Sequence, residues 1–151
     1  MIKFYDTSSL LCLHDDLKFD NFIISSITLK ELENIKTAHS KDGAIKAAAR
    51  KVLKLLNDNI GKYSIHVYQT NMLEPIENKD LEVNNDTKIL ACAIDYEKNY
   101  CPDNMLFITN DMSLFAISNL FFGEDSIYKI APIETEEYLG YKDITMTEEE
   151  M

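Results

Sequence analysis

Four carboxylates lie where apolar runs end or helices begin along this 151-residue chain. Asp6 and Asp111 follow apolar runs at 2–5 and 105–109, whereas Glu31 and Asp86 lie in the first turns of predicted helices. Clustered anions repel, and a divalent cation relieves that repulsion. Oxygen ligands without His or Cys suit Mg²⁺ or Mn²⁺, and two such ions about 4 Å apart can support phosphodiester hydrolysis. The four residues therefore indicate nuclease-type chemistry.

Each carboxylate also has a purely structural explanation. Asp is a favoured helix N-cap, and the spacing from Thr28 to Glu31 fits a capping box; either interaction stabilises a helix by about 1 kcal/mol. Ser, Thr or Asn would serve equally well as caps, yet all four positions carry carboxylates. Taken together, the four acids favour a metal site over four unrelated caps.

Apolar runs that alternate with helix-period segments predict the elements around these acids. Strands are predicted at residues 2–5, 22–25, 63–68, 105–109 and 126–130. Helices are predicted after a Thr7-Ser8-Ser9 cap, from Thr28 to about Lys36, at 41–59 with Ile45, Ala49, Val52 and Leu56 buried, from Asp86 onward and at 112–120. Residues 69–85 are predicted as a surface loop with room for a helical turn. The predicted fold is a three-layer α/β/α domain with a central, mostly parallel sheet of four to five strands. Sites in such sheets lie beyond the carboxyl ends of the strands, so the four acids would meet there.

Composition and charge restrict the partners. The chain is 46% hydrophobic with only four glycines, which indicates one globular domain, and its net charge of −11 disfavours general attraction to nucleic acid or an anionic membrane. Basic residues concentrate in 30–62, where Lys46, Arg50 and Lys54 recur every fourth position and are predicted to contact an RNA backbone. An ordinary solvated helix face is the alternative. We expect a domain at 1–133 and an acidic tail or linker at 134–151.

Cysteine and histidine positions show no further centre. Cys12, Cys92 and Cys101 have no CxxC spacing, which predicts a reduced, cytoplasmic protein without a zinc site. The three histidines show no catalytic spacing, and no apolar run suits a signal peptide or a membrane span. We therefore expect a soluble protein with no membrane partner.

Four segments resemble the acidic motifs of PIN domains, over about residues 1–131 and in the family's order. They are Phe4-Tyr-Asp6-Thr-Ser, Ile24-Ser-Ser-Ile-Thr-Leu-Lys-Glu31-Leu, Asn85-Asp86-Thr-Lys-Ile-Leu-Ala-Cys-Ala and Phe107-Ile-Thr-Asn-Asp111-Met-Ser-Leu. The resemblance implies a metal-dependent ribonuclease in which Asp6, Glu31, Asp86 and Asp111 hold one or two Mg²⁺ or Mn²⁺ ions. It also implies that hydroxyls near the metal, here Thr7, Ser9 and Thr109, help to position water or phosphate.

The same resemblance suggests partners. The expected substrate is RNA, in single-stranded form. A homodimer, a C-terminal ATPase domain of the PhoH type and an antitoxin-like regulator are partners known for such domains, and the segment from Glu31 to Lys36 is closest to the ATPase-fused kind.

Other functions remain as alternatives. A catalytically weak PIN scaffold or RNA-binding module would keep the fold without efficient cleavage. A doubly wound phosphoryl-transfer domain with Asp6 as phosphate acceptor fits poorly, because Ser8 occupies the second position of the Asp-x-Asp pair that a haloacid-dehalogenase-like phosphatase needs. A response-regulator receiver would need a Lys at the end of the late strand, which ends in Thr109-Asn110-Asp111 instead. The four glycines are too scattered for a nucleotide-binding loop.

Overall fold

The computed structural model describes residues 1–39 and 42–130. The predicted domain boundary at residue 133 and the acidic segment 134–151 lie outside the described residues. Within the part of the chain that is described, no helix has the length and apolar character needed to cross a bilayer.

Five short strands form one parallel sheet in the order β3-β2-β1-β4-β5. The strands are β1 Ile2–Tyr5, β2 Phe22–Ser25, β3 Tyr63–His66, β4 Met105–Thr109 and β5 Ile127–Lys129. Phe4 in β1 lies opposite Ile23 in β2 and Phe107 in β4. Because all strands run in one direction, their carboxyl ends meet at one edge of the sheet, which confirms the predicted parallel α/β architecture.

Within residues 1–39 and 42–130, six helices connect and cover the strands. They are α1 Thr7–Leu13, α2 Ser26–Thr37, α3 Gly43–Asp58, α4 Glu74–Asn78, α5 Asn85–Tyr100 and α6 Met112–Ser118. Short 3₁₀ turns lie at His14–Asp16, Thr70–Leu73 and Glu124–Ser126.

Alternate residues of each central strand enter two hydrophobic cores on opposite faces of the sheet. Phe4 and Phe107 pack with α4, α5 and α6, whereas the neighbouring residues Tyr5 and Ile108 pack with α1, α2 and α3. Side chains of a strand point alternately to its two faces, so a strand buried on both faces reads as a continuous apolar run. The three-layer arrangement follows from that pattern.

Two predicted helix starts were wrong. The cap of α1 is Asp6 rather than the Thr7-Ser8-Ser9 run. The cap of α2 is Ser25, whose Oγ accepts from Ile27 N at 3.1 Å, so the helix begins at Ser26, before Thr28. Glu31 therefore lies in the second turn, and Thr28 is buried within the helix instead of forming a capping box with it.

Two burial predictions were also wrong. Residues 69–85 were expected to form a surface loop with room for a helical turn. The structure has a 3₁₀ turn and α4 here, but the segment is not confined to the surface, because Met72, Leu73 and Ile76 are buried in the core. Because Pro75 and polar residues surround these three apolar residues, the sequence pattern does not show that they are buried. Ile45, expected on the buried face of α3, is 43% exposed because it borders an open hollow between α1 and α3.

Replacing Ile76 by Ala should test whether this segment belongs to the core. Ile76 is fully buried, so we expect Ile76→Ala to lower the free energy of unfolding by about 2–5 kcal/mol in urea denaturation. Ile60→Ala is the matched control, because Ile60 is 75% exposed and its loss should cost under about 0.5 kcal/mol. Equal effects for the two variants would contradict the core position of α4.

Candidate active site

Asp6 is the most buried of the four acids. It follows the last residue of β1 and is only 2% exposed. Its Oδ1 accepts from Ser9 N at 2.8 Å, which caps α1, and its own N–H donates to Ile108 O of β4. Burial raises the pKa of this carboxyl, and the hydrogen bonds, of which that from Thr109 matters most, oppose the rise.

Hydroxyl groups join Asp6 to the loop that carries Asp111. Thr109 Oγ1 donates to Asp6 Oδ2 at 2.5 Å and accepts from Asp111 N at 3.0 Å. Ser8 Oγ donates to both oxygens of Asp6, at 3.0 and 2.9 Å, and accepts from Asn110 N at 3.0 Å. These contacts hold the ends of β1 and β4 together, so the two acids that follow them cannot move independently.

Ser9 contacts Asp6 in a different way from the other hydroxyls. Its backbone N–H reaches the carboxylate, whereas its Oγ donates to the main-chain oxygen of Asp6 at 2.8 Å. The Ser9 side chain is completely buried and closes the first turn of α1.

Asp111 caps α6 with one carboxylate oxygen. Its Oδ1 accepts from Leu114 N at 3.1 Å. Within the described residues, Oδ2 has no hydrogen-bond partner and is available to a ligand. The capping and ligand-binding explanations are therefore compatible at this residue.

Glu31 is held by a threonine on another helix. Thr7 Oγ1 in α1 donates to Glu31 Oε1 at 2.5 Å and lies 3.1 Å from Thr28 Oγ1. Thr7 and Thr28 are both buried, which limits the freedom of their side chains. This contact orients Glu31 from α2 toward the start of α1.

Asp86 lies in the first turn of α5, next to a capping box. Asn84 and Thr87 form that box, with each side chain accepting from the other residue's backbone N–H. The cap therefore does not require Asp86, whose carboxylate makes no hydrogen bond within residues 1–39 and 42–130.

The electrostatic environment of Asp86 links the four acids. Partial burial first, and then the charges of Asp111, Glu31 and Asp6 in that order, raise the pKa of Asp86 to about 6. Desolvation and like charges both disfavour an ionised carboxyl. The side chain is still exposed at its tip, so water screens part of the repulsion.

The donor types suit a hard divalent cation, but the side chains are not gathered around one point. All four are carboxylates, and repulsion among them is the problem that a cation would relieve. Among the described residues, no three carboxylate, imidazole or thiol groups are close enough to hold one ion in the arrangement present. The residues thus fit a cation by chemistry and by shared charge, and their side chains would have to turn inward to ligate it.

The three predicted RNA-contacting residues lie on one side of α3. Lys46 is half-buried, Arg50 is exposed, and Lys54 Nζ forms an exposed ion pair with Asp58 at 2.9 Å. At 100° per residue, Lys46 and Arg50 point about 160° away from Ala48, which borders the hollow between α1 and α3. The basic side and that hollow are therefore separate surfaces.

Two polar residues at this edge were missed from the sequence. The sequence predicts Ser8 as part of the Thr7-Ser8-Ser9 cap and as a departure from Asp-x-Asp, and Asn110 as part of a turn, but it does not predict that Ser8 Oγ links Asp6 to Asn110 N. A polar residue two positions after an N-cap does not by itself predict this contact, because Ser8 reaches Asn110 only when β4 lies beside β1. The sequence also does not predict the contact between His66 Nε2 and Asp95 Oδ2, which are 2.8 Å apart and link β3 to α5.

Asp86→Asn should stabilise the metal-free protein. In the folded state the carboxyl pKa is raised from 3.8 to about 6, so ionised Asp86 opposes folding at neutral pH. Because the side chain is exposed, we expect only about 1 kcal/mol of added stability at neutral pH in EDTA. The gain should shrink as the pH falls below about 6 and disappear below the unfolded pKa of 3.8, where Asp86 is protonated in both states.

Thermal unfolding at several pH values measures this effect. Asp125→Asn is the control, since Asp125 is exposed just before the amino end of β5, away from the four acids. A loss of stability in Asp86→Asn at neutral pH would show that the four charges do not act on one another as described.

One comparison with known families gave a match. The family model described as PIN domain matches residues 4–119, a range that includes all four acids. A search of curated proteins gave no match. Proteins with this domain are in general nucleases and typically use divalent metal ions. Because the match covers most of the chain, the chain belongs to the PIN domain family, and its function is of the nuclease type.

Proposed function

We propose that this protein is a Mg²⁺- or Mn²⁺-dependent endoribonuclease that hydrolyses phosphodiester bonds of single-stranded RNA. The observation that supports the proposal is the placement of the acids: Asp6 and Asp111 follow the paired parallel strands β1 and β4, and the helices α2 and α5 carry Glu31 and Asp86. The charges of Asp111, Glu31 and Asp6 add to the effect of burial in raising the pKa of Asp86, and a bound cation would relieve that repulsion.

Asp6, Glu31, Asp86 and Asp111 would hold the ions. Bound Mg²⁺ or Mn²⁺ supplies an activated water and charge stabilisation at the leaving oxygen. The proposed role of all four acids is to bind cations, so no covalent intermediate with the protein forms.

The residues around the acids keep them in position. Thr109 and Ser8 hold the Asp6 carboxylate, and Thr7 holds Glu31. Asp111 Oδ2 and the carboxylate of Asp86 are without hydrogen-bond partners among the described residues and can turn toward a cation. Hydrogen bonds of this kind orient ligands and typically change metal affinity 10- to 100-fold, by order of magnitude.

Single-stranded RNA is the substrate class that suits the charge distribution. With a net charge of −11, the protein as a whole repels nucleic acid, so a strand must bind through local contacts. A single strand can bend to place one phosphate over the acids, while Lys46 and Arg50 approach neighbouring phosphates. A homodimer, an ATPase domain and an antitoxin-like regulator remain predictions.

Cleavage of end-labelled, unstructured RNA tests the proposal. We expect cleavage in Mn²⁺ or Mg²⁺, none in EDTA, and a loss of at least about a hundredfold in Asp6→Asn and Asp111→Asn, because each removes a ligand charge. Asn still accepts the capping hydrogen bond, so both variants should fold, which circular dichroism checks.

Asp125→Asn is the control and should cleave like the wild type. Calorimetry with Mn²⁺ separates the remaining alternatives. Binding of Mn²⁺ without cleavage of any RNA would favour the scaffold or RNA-binding module. If the protein neither bound Mn²⁺ nor cleaved RNA, the acids would be left with structural roles such as helix capping.

The salt dependence of RNA binding tests the basic side of α3. Each phosphate contact with a single strand contributes about 0.7 to the slope of log affinity against log salt concentration, so Lys46→Ala and Arg50→Ala should each lower the slope by about that amount. Lys54→Ala should have less effect, because Asp58 already neutralises Lys54. Lys98→Ala, exposed on α5, is the control; an equal loss there would contradict a local basic contact.

A further inference from the structure

A hollow of about 440 Å³ opens beside the acidic edge, between α1 and the first half of α3. Two of its lining residues, Ser8 and Asn110, belong to the contacts that hold Asp6. It is thus continuous with the candidate active site. The hollow also shares His14, Ala44 and Ala48 with a second one of about 400 Å³ further along α3.

Apolar side chains form most of the walls. Leu11 comes from α1, and Ala44, Ile45 and Ala48 come from α3. Ile45 is 43% exposed here, with nothing in the described structure covering it. Sites for small organic groups typically have this size, with apolar walls and a few polar groups that set orientation.

Two side chains of the hollow, Asn110 and His14, are of types that bind a nucleobase by hydrogen bonding and by stacking. Asn110 is exposed, and its side-chain amide makes no hydrogen bond within residues 1–39 and 42–130, so it can pair with the donor and acceptor edge of a base. The ring of His14 offers a stacking surface. Because His14 Nδ1 accepts from Asp15 N at 2.8 Å, a neutral His14 carries its proton on Nε2 and can donate it.

The backbone of His14 supports a functional role for this residue. It has φ 25° and ψ −99°, in the region of positive φ that favours glycine. Strain of this kind is retained where the surrounding structure needs a particular side chain in place. His14 is the residue with this conformation that lines both hollows in the described structure.

We infer that this hollow binds one base of the RNA strand next to the phosphate held at the acids. The inference rests on the proposed function and adds a base-binding subsite to it. Apolar packing and stacking would give affinity where the negative charge of the protein gives none, and Asn110 would read the base edge. The basic side of α3 faces elsewhere and has no part in this contact.

Cys12 provides a reporter for occupation of the hollow. It lines the hollow and is partly exposed, whereas Cys92 and Cys101 are buried. Burial raises the pKa of the Cys92 thiol to about 11 and also raises that of Cys101, which makes both slow to react. Alkylation of the folded full-length chain by a maleimide, followed by mass spectrometry, should therefore report on Cys12.

The experiment compares a six-nucleotide single-stranded RNA with an abasic oligomer of the same length and backbone, both in Mg²⁺ and with the Asp111→Asn chain, which is expected not to cleave the RNA during the measurement. We expect the RNA to slow alkylation of Cys12 about fivefold or more and the abasic oligomer to leave it unchanged, because stacking depends on the base. Ala48→Leu, which fills the hollow with a good helix former, should abolish the protection. Asn57→Leu, exposed on the same helix outside both hollows, should keep it.

Each other outcome has a defined meaning. Equal protection by the abasic oligomer, or protection that survives Ala48→Leu, overturns the base subsite. No protection by an RNA that the wild type cleaves overturns the subsite and leaves the ribonuclease function intact. Protection without cleavage supports the subsite and counts against the proposed function. Protection that rises with protein concentration in the absence of RNA places a second copy in the hollow and overturns the inference.

Discussion

The buried carboxylate of Asp6 determines how the carboxyl edge of the sheet is built. A charge that is 2% exposed is costly unless it is hydrogen-bonded, and Asp6 accepts from Ser9 N, Ser8 Oγ and Thr109 Oγ1. Ser8 and Ser9 belong to α1, and Thr109 is the last residue of β4. Thr109 lies 103 residues from Asp6 along the chain. Satisfying one buried charge therefore joins β1, α1 and the loop before α6, and the position of Asp111 follows from that junction.

Parallel strands then create the electrostatic problem that the proposed function would use. The order β3-β2-β1-β4-β5 places β1 at the centre, so the acids that follow β1 and β4 are adjacent, and α2 and α5 add Glu31 and Asp86. Partial burial, and then the charges of Asp111, Glu31 and Asp6, raise the pKa of Asp86. The proposed cation would relieve the repulsion among these like charges.

Helix capping by Asp6 and Asp111 leaves room for the ligand-binding role that we propose for them. Asp6 and Asp111 each cap a helix with Oδ1, while Asp111 Oδ2 remains unbonded among the described residues. A carboxylate has two oxygens, so one can satisfy a backbone N–H and the other can face a ligand. Asn in these positions would keep the cap and lose the negative charge. The presence of Asp rather than Ser, Thr or Asn therefore indicates a role for the charge.

The sequence by itself determined the parallel α/β fold and the positions of the four acids along it. Continuous apolar runs such as Phe22–Ser25 mark strands buried on both faces, and their alternation with helices leaves few topologies. Family membership and a nuclease-type function were predictable for the same reason, since order and spacing of the acidic motifs are properties of the chain.

Only the tertiary structure decided which groups surround those acids. Ser8 meets Asn110 and Thr7 meets Glu31 because distant elements pack together, and no local pattern encodes such contacts. The start of α2 was misplaced since Ser25 and Thr28 are both good caps by type, and the packing of β2 against its neighbours selects between them. Ile76 is buried and Ile45 is exposed, the reverse of what the sequence predicts. Burial depends on what covers a side chain: α4 packs on the core, whereas the hollow beside α3 stays open.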